Sequence, residues 1–134
     1  MMVVDHVGLL VRDLDAALVR YAQITAGRPQ DLGVDDVLDC RWARIELPEG
    51  PPLELVSPRS DDSIYTRDLA RRGEGLHHVS FRVSSLEDER ARLTDSGIEV
   101  VGINPDHAGW QEMFVHPRSS HGALIHLCVP PSNA

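Results

Sequence analysis

The sequence predicts an α+β fold made of two βαβββ modules in a single domain spanning residues 1–134. Three observations predict it. Reading along the chain, a strand, a helix and three further strands occur in that order twice. Sliding the chain by 72 residues lays residues 5–14 on residues 77–86 and, without a gap, takes Gly50 to Gly122, Leu53 to Ile125, Leu55 to Leu127 and Pro58 to Pro130. The strands of both halves also alternate, with apolar side chains on one face and polar ones on the other. Module one is expected over about residues 1–60 and module two over about 74–134.

Taken in order, residues 3–11 read as a strand with His6, Gly8 and Leu10 on one face and Val7, Leu9 and Val11 on the other. Asp13 is the expected N-cap of a helix, with Asp15 in its first turn and Leu14, Ala17, Leu18, Tyr21 and Ala22 as its apolar stripe. Gly27 is the expected C-terminal stop. Residues 28–37 read as loop or short strand, 37–47 as a strand and 53–57 as another, joined by the proline-rich turn 48–52. Residues 62–72 predict a short connecting helix closed by Gly73. The second module begins with a strand over 76–83. A helix capped by Ser85 follows, with Asp88 three residues on, and Gly97 ends it. Strands are expected over 98–102, 110–116 and 123–129, before Pro130, Pro131 and a polar tail.

Composition narrows the function. With 42% hydrophobic residues the chain can bury a core of its own. A formal net charge of −8 argues against non-specific nucleic-acid binding, which needs a basic surface, and against attachment to an anionic membrane. The start of the chain runs straight into a strand pattern, without a signal peptide, and no apolar run approaches the roughly 20 residues of a membrane span. Cys40 and Cys128 are too few and too far apart for a disulfide framework or a CxxC zinc site, so inert packing roles and a cytoplasmic location are expected.

The chemistry-bearing residues fall on the polar faces. On the strand after Gly73, His78, Ser80 and Arg82 share one face, opposite His77, Val79, Phe81 and Val83. Glu54 lies opposite Leu53 and Leu55, and His126 opposite Ile125 and Leu127. The 72-residue shift takes His6 to His78 and Glu54 to His126, so it pairs four ligand-type side chains, two from each half. Three imidazoles and one carboxylate suit a divalent zinc, nickel, cobalt, iron or manganese ion and leave positions open, as catalytic metals require. The alternative reading of the four is a wet polar cleft. His77 is expected on the packing face, half-buried and hydrogen-bonded. His107, His116 and His121 fall in or beside turns, where solvated positions are expected.

Four segments carry a family resemblance: Asp5-His-Val-Gly-Leu-Leu-Val-Arg-Asp-Leu-Asp-Ala-Ala17, Leu53-Glu-Leu-Val-Ser-Pro58, Gly73-Glu-Gly-Leu-His-His-Val79 and His116-Pro-Arg-Ser-Ser-His-Gly-Ala-Leu-Ile-His-Leu127. The chain resembles the vicinal oxygen chelate superfamily of glyoxalases, bleomycin-resistance proteins and ring-cleaving dioxygenases, and within it most closely the methylmalonyl-CoA epimerases. The resemblance implies paired βαβββ modules forming a curved mixed sheet around a metal-binding cleft. It implies ligand roles for His6, Glu54 and His78. At the fourth ligand position the family has glutamate and this chain has His126, which removes one carboxylate ligand and candidate base. His126, if not bound to metal, can itself accept a proton. Asp39 is a second candidate base, with Asp36 near it, and Arg118 a candidate for a coenzyme A phosphate.

The implied activity is epimerisation of a methylmalonyl-CoA-like thioester by metal-assisted proton transfer through an enolate. A small-molecule substrate, a coenzyme A thioester among the candidates, and a homodimer are expected. A glyoxalase-like isomerase or lyase is the alternative enzyme. A ligand-sequestering, bleomycin-resistance-like binding protein is the non-catalytic alternative, against which four ligand-type residues in register argue.

Overall fold

Helix formation in both halves starts where the sequence places it. In the computed structural model, which describes residues 1–132, the Asp13 side chain accepts a hydrogen bond from the Ala16 N–H at 3.0 Å and opens helix α1 (Leu14–Thr25). Ser85 likewise accepts from the Asp88 N–H at 3.2 Å and opens α3 (Leu86–Asp95). Each bond satisfies one of the donors that a helix start leaves without a partner. Around them run β1 (Met2–Leu10), β2 (Arg28–Asp35), β3 (Cys40–Glu46), β4 (Leu53–Pro58), α2 (Ile64–Arg72), β5 (Gly75–Val83), β6 (Val100–His107), β7 (Trp110–Val115) and β8 (Leu124–Val129). The fold is α+β, with two βαβββ modules. Asn133 and Ala134, the end of the expected polar tail, lie outside the described residues.

Contacts group the chain into two compact units: residues 6–77, and residues 1–5 with the chain from His78 onward. In the first unit the strand order is β2-β3-β4-β1. β1 is parallel to β4, with Val7 opposite Leu53 and Leu10 opposite Val56. The other pairs are antiparallel. Parallel neighbours need a crossover between them, and α1 lies on it. The core is Leu9, Val11, Leu14, Leu18, Ala43, Ile45 and Leu55, whose larger side chains contribute about 1.5–3 kcal/mol each when fully buried.

The second unit repeats the plan, in the order β5-β8-β7-β6. β5 is parallel to β8, with Val79 opposite Ile125. Its core is Val83, Leu86, Leu93, Met113, Val115 and Leu127. The 72-residue shift carries Val11, Leu14 and Leu55 of one core onto Val83, Leu86 and Leu127 of the other. The third strands depart from it. Leu55 faces Ala43, whereas Leu127 faces Met113, so β3 and β7 correspond at a shift of 70. Residues 1–5 are tied in by the buried Asp5 carboxylate, which accepts from Arg82 Nε at 3.1 Å and Nη2 at 2.7 Å.

Several expected boundaries are corrected. The left-handed residue that ends α1 is Ala26 (φ 54°), not Gly27. A Cβ on Gly27 would stand 2.6 Å from Ile45 Cγ2 and 2.8 Å from the Glu46 carbonyl oxygen, so that glycine permits close packing on β3. Residues 28–35 form a full strand. It lies at the end of its sheet, where Pro29 is tolerated and largely exposed side chains mute the alternation. β3 starts at Cys40 rather than 37, because the Asp35 carboxylate accepts from the Val37 and Leu38 N–H groups and turns the chain. β6 extends to His107 and closes onto Trp110 through Ala108 and Gly109, both at positive φ as a two-residue hairpin turn requires. Among the described residues no helix is long and apolar enough to cross a membrane.

Candidate functional site

Strand alternation positions the polar side chains of the first unit. Leu55 goes to the core, so Glu54 points to the opposite face, next to Gly8 of β1 and Arg44 of β3 in the strand register. His6, two residues before Gly8, shares that face and is buried. Its Nε2 lies 3.7 Å from Glu54 Oε1. That is too long for a hydrogen bond and close to the roughly 3.4 Å between two ligand atoms held about 2.1 Å from one tetrahedral ion. The other Glu54 oxygen accepts from Arg44 Nε at 3.2 Å, which fixes the carboxylate with Oε1 toward His6. An imidazole nitrogen and a carboxylate oxygen at this separation fit a divalent cation.

In the second unit the polar face of β5 carries His78, Ser80 and Arg82, and that of β8 carries His126 and Cys128. Both ring nitrogens of His126 are engaged. Nδ1 lies 2.6 Å from Ser80 Oγ, and Nε2 lies 2.8 Å from Glu112 Oε2. The second Glu112 oxygen lies 2.6 Å from His107 Nδ1. A carboxylate only accepts, so His126 Nε2 and His107 Nδ1 carry the hydrogens they share with Glu112. That leaves His126 Nδ1 facing the Ser80 hydroxyl. Phe114, directly across from His126, stacks on its ring at 4.7 Å between centroids, and His78 meets it edge-on at 6.1 Å. Burial raises the Glu112 carboxyl, but the hydrogen bonds from His126 and His107 outweigh it and hold the group below its ordinary value.

The remaining residues nominated from the sequence serve other contacts. Asp39 sits in the turn before β3 at φ 53°, its carboxylate accepting from the Ser60 hydroxyl and 3.6 Å from Arg59 Nε. Asp36 is exposed and accepts from Arg59. Arg118 is exposed and donates to both Glu99 oxygens, at 3.0 and 3.2 Å. His77 is buried and bonds Asp68 of α2 at 2.7 Å, against Tyr65; burial pushes its imidazole down, partly offset by Asp68. His121 is exposed at φ 56°, and His116 caps the turn Pro117–Ser119 by accepting from the Arg118 N–H. His107 corrects the expectation of a solvated turn position: β6 runs long enough to make it the last strand residue, and its side chain is 12% exposed. Cys40 and Cys128 are buried free thiols. Burial, then Asp35 and Glu54, pushes the Cys40 thiol up to about 12.

Glu112 is the functional candidate that sequence reasoning missed. Alternation alone marks it, since Met113 and Val115 enter the core and Glu112 must face the other way. The 72-residue shift hides it by placing it on Cys40, whereas the strand register pairs it with Trp42.

A family model of the glyoxalase/bleomycin resistance protein/dioxygenase superfamily matches residues 5–114. The chain belongs to this superfamily. Among curated proteins, this superfamily member is 32% identical to the uncharacterized Bacillus subtilis (strain 168) protein YqjC over 80 residues, 58% of this chain and 57% of YqjC. The matched stretch thus spans less than two thirds of that relative. Among solved structures, the hypothetical protein BH1468 of Bacillus halodurans C-125 superposes with a TM-score of 0.90 at 27% identity, covering 99% of this chain and 97% of that one. Methylmalonyl-CoA epimerase from Mycobacterium tuberculosis superposes at 0.87 with 28% identity, covering 98% and 89%.

Proposed function

We propose that this superfamily member is a metal-dependent epimerase of a methylmalonyl-CoA-like thioester, with His6, Glu54 and His78 as protein ligands and His126 as the proton-transfer group. The observation that carries the reading is the His6–Glu54 pair at 3.7 Å, on a fold that matches a methylmalonyl-CoA epimerase along 98% of the chain. His78 joins them on the family resemblance, which gives all three residues ligand roles. A bound metal ion supplies Lewis-acid polarisation of a carbonyl oxygen, which acidifies the neighbouring C–H.

The chain's own residues supply the proton handling. Proton transfer at His126 Nδ1 requires the Ser80 hydroxyl to turn away from that nitrogen, the one ring position whose partner can rotate. Glu112 faces the opposite nitrogen and stabilises the charged ring. The aspartate alternative, Asp39, is held in its turn by Ser60 and Arg59.

The test is deuterium wash-in from solvent at C2 of methylmalonyl-CoA with cobalt- or zinc-loaded protein. Exchange well above the protein-free rate is expected, with roughly 10²-fold or greater loss in His126→Ala. No exchange above background ends the epimerase reading.

A further inference from the structure

The chain has a histidine at position 126, and a carboxylate, Glu112, bonds that histidine from the neighbouring strand. We propose that Glu112, seconded by His107, is a positioning residue that fixes His126 as its Nε2–H tautomer, with Nδ1 turned to Ser80. This rests on the proton-transfer role given to His126 above. Three observations carry it.

The first is register. Phe114 is the residue directly across from His126, so Glu112, two residues earlier on β7, presents its carboxylate on the same face and along the edge of the same ring. The second is completeness. Ser80, Phe114 and Glu112 hold the imidazole by one nitrogen, one face and the other nitrogen, which leaves its rotation little freedom. The third is His107. A carboxylate with only one imidazole partner could turn either oxygen toward it. The His107 contact at 2.6 Å takes Oε1 and leaves Oε2 for His126. The hairpin turn at Ala108 and Gly109 places His107 across from Trp110, within reach of Glu112. No fold requirement puts a carboxylate there: the side chain is 13% exposed and its hydrogen bonds go to these two histidines. Burying a charge is costly unless it is paired and hydrogen-bonded, as this one is.

The arrangement assigns opposite outcomes to two roles. If Glu112 stood behind a metal-binding His126, its loss should weaken metal affinity by about 10–100-fold. If it positions a proton-transfer group, metal affinity stays and turnover falls. The experiment compares wild type with Glu112→Gln, Glu112→Asp and His107→Gln in three measurements: kcat and KM for C2 exchange, cobalt affinity, and ¹⁵N chemical shifts of the His126 ring in metal-free protein.

We expect Glu112→Gln to lower kcat roughly 10²-fold at unchanged KM and to mix the tautomers of His126. Glu112→Asp should recover part of the rate, His107→Gln should show a smaller loss, and cobalt affinity should match wild type in all three. A single unchanged His126 tautomer in Glu112→Gln, or a tenfold loss of cobalt affinity, overturns the proposal. Should wild type show no exchange at all, the epimerase reading fails on its own. The tautomer and cobalt measurements then still decide whether Glu112 positions His126.

Discussion

A carboxylate set between two imidazoles makes stability depend on pH in a fixed direction. The folded-state pKa of Glu112 lies below its ordinary value near 4.5: burial raises it, and the hydrogen bonds from His126 and His107 win. A group depressed in this way contributes stability that is complete above the unfolded-chain pKa and is lost as pH falls through the folded one. Glu112→Gln should therefore be less stable than wild type at pH 7, by about 1.5–3 kcal/mol for hydrogen bonds to a charged group. The two should converge as pH drops below about 4.5. Urea midpoints measured from pH 7 to 3 check this, and a constant gap across that range would count against it. At this scale the sequence was informative wherever a polar residue interrupts an apolar alternation: His6, Glu54, His78 and His126 all stand out that way. What it concealed were partners. Nothing in a linear reading says that Glu54 is steadied by Arg44, or that a histidine beside a turn bonds a carboxylate five residues on.

The junction of α1 and β2 separates two roles for small residues. The sequence suggests Gly27 as the helix stop, but Ala26 takes the left-handed conformation and Gly27 supplies room beside Ile45 and Glu46. The two substitutions should act in opposite directions. Ala26→Gly relieves a conformation that costs an L-residue roughly 1–2 kcal/mol, offset in part by unfolded-state entropy, for a net gain of several tenths to about 1 kcal/mol. Gly27→Ala drives a methyl into backbone and an inward-facing isoleucine and should cost about 1–3 kcal/mol. Thermal unfolding of both variants decides it; a neutral Gly27→Ala would count against the close-packing role, and a destabilised Ala26→Gly against relief of a left-handed strain. Elements whose periodicity reports burial were legible: β1, β4, β5, β8 and all three helices are placed within a few residues. β2 was not, because an edge strand with exposed side chains has little pattern to show. β6 was cut short for a related reason, since its bulges around Gly102 and Asn104 break the alternation before the strand ends.

For the molecule as a whole, the repeat and the proposed metal set make one linked prediction. The parallel pairs β1–β4 and β5–β8 keep the 72-residue correspondence, and those are the strands that bear His6, Glu54, His78 and His126. The drift to a shift of 70 is confined to β3 and β7, where the partners differ: Arg44 faces Glu54, and Phe114 faces His126. Equivalent positions have thus been given different work, a carboxylate steadied by a cation in one unit and an imidazole packed on a ring in the other. If three ligands rather than four hold the ion, metal-linked stability must ignore the fourth position. A ligand that binds only the folded chain stabilises it by about 2.7 kcal/mol at 100 times its dissociation constant. For a chain of this size that raises the unfolding midpoint by roughly 5–15 °C. Cobalt or zinc at that excess should give such a rise in wild type and in His126→Ala, and should give little in His6→Ala or His78→Ala. A rise that disappears in His126→Ala would return that residue to the metal and leave proton transfer to another group.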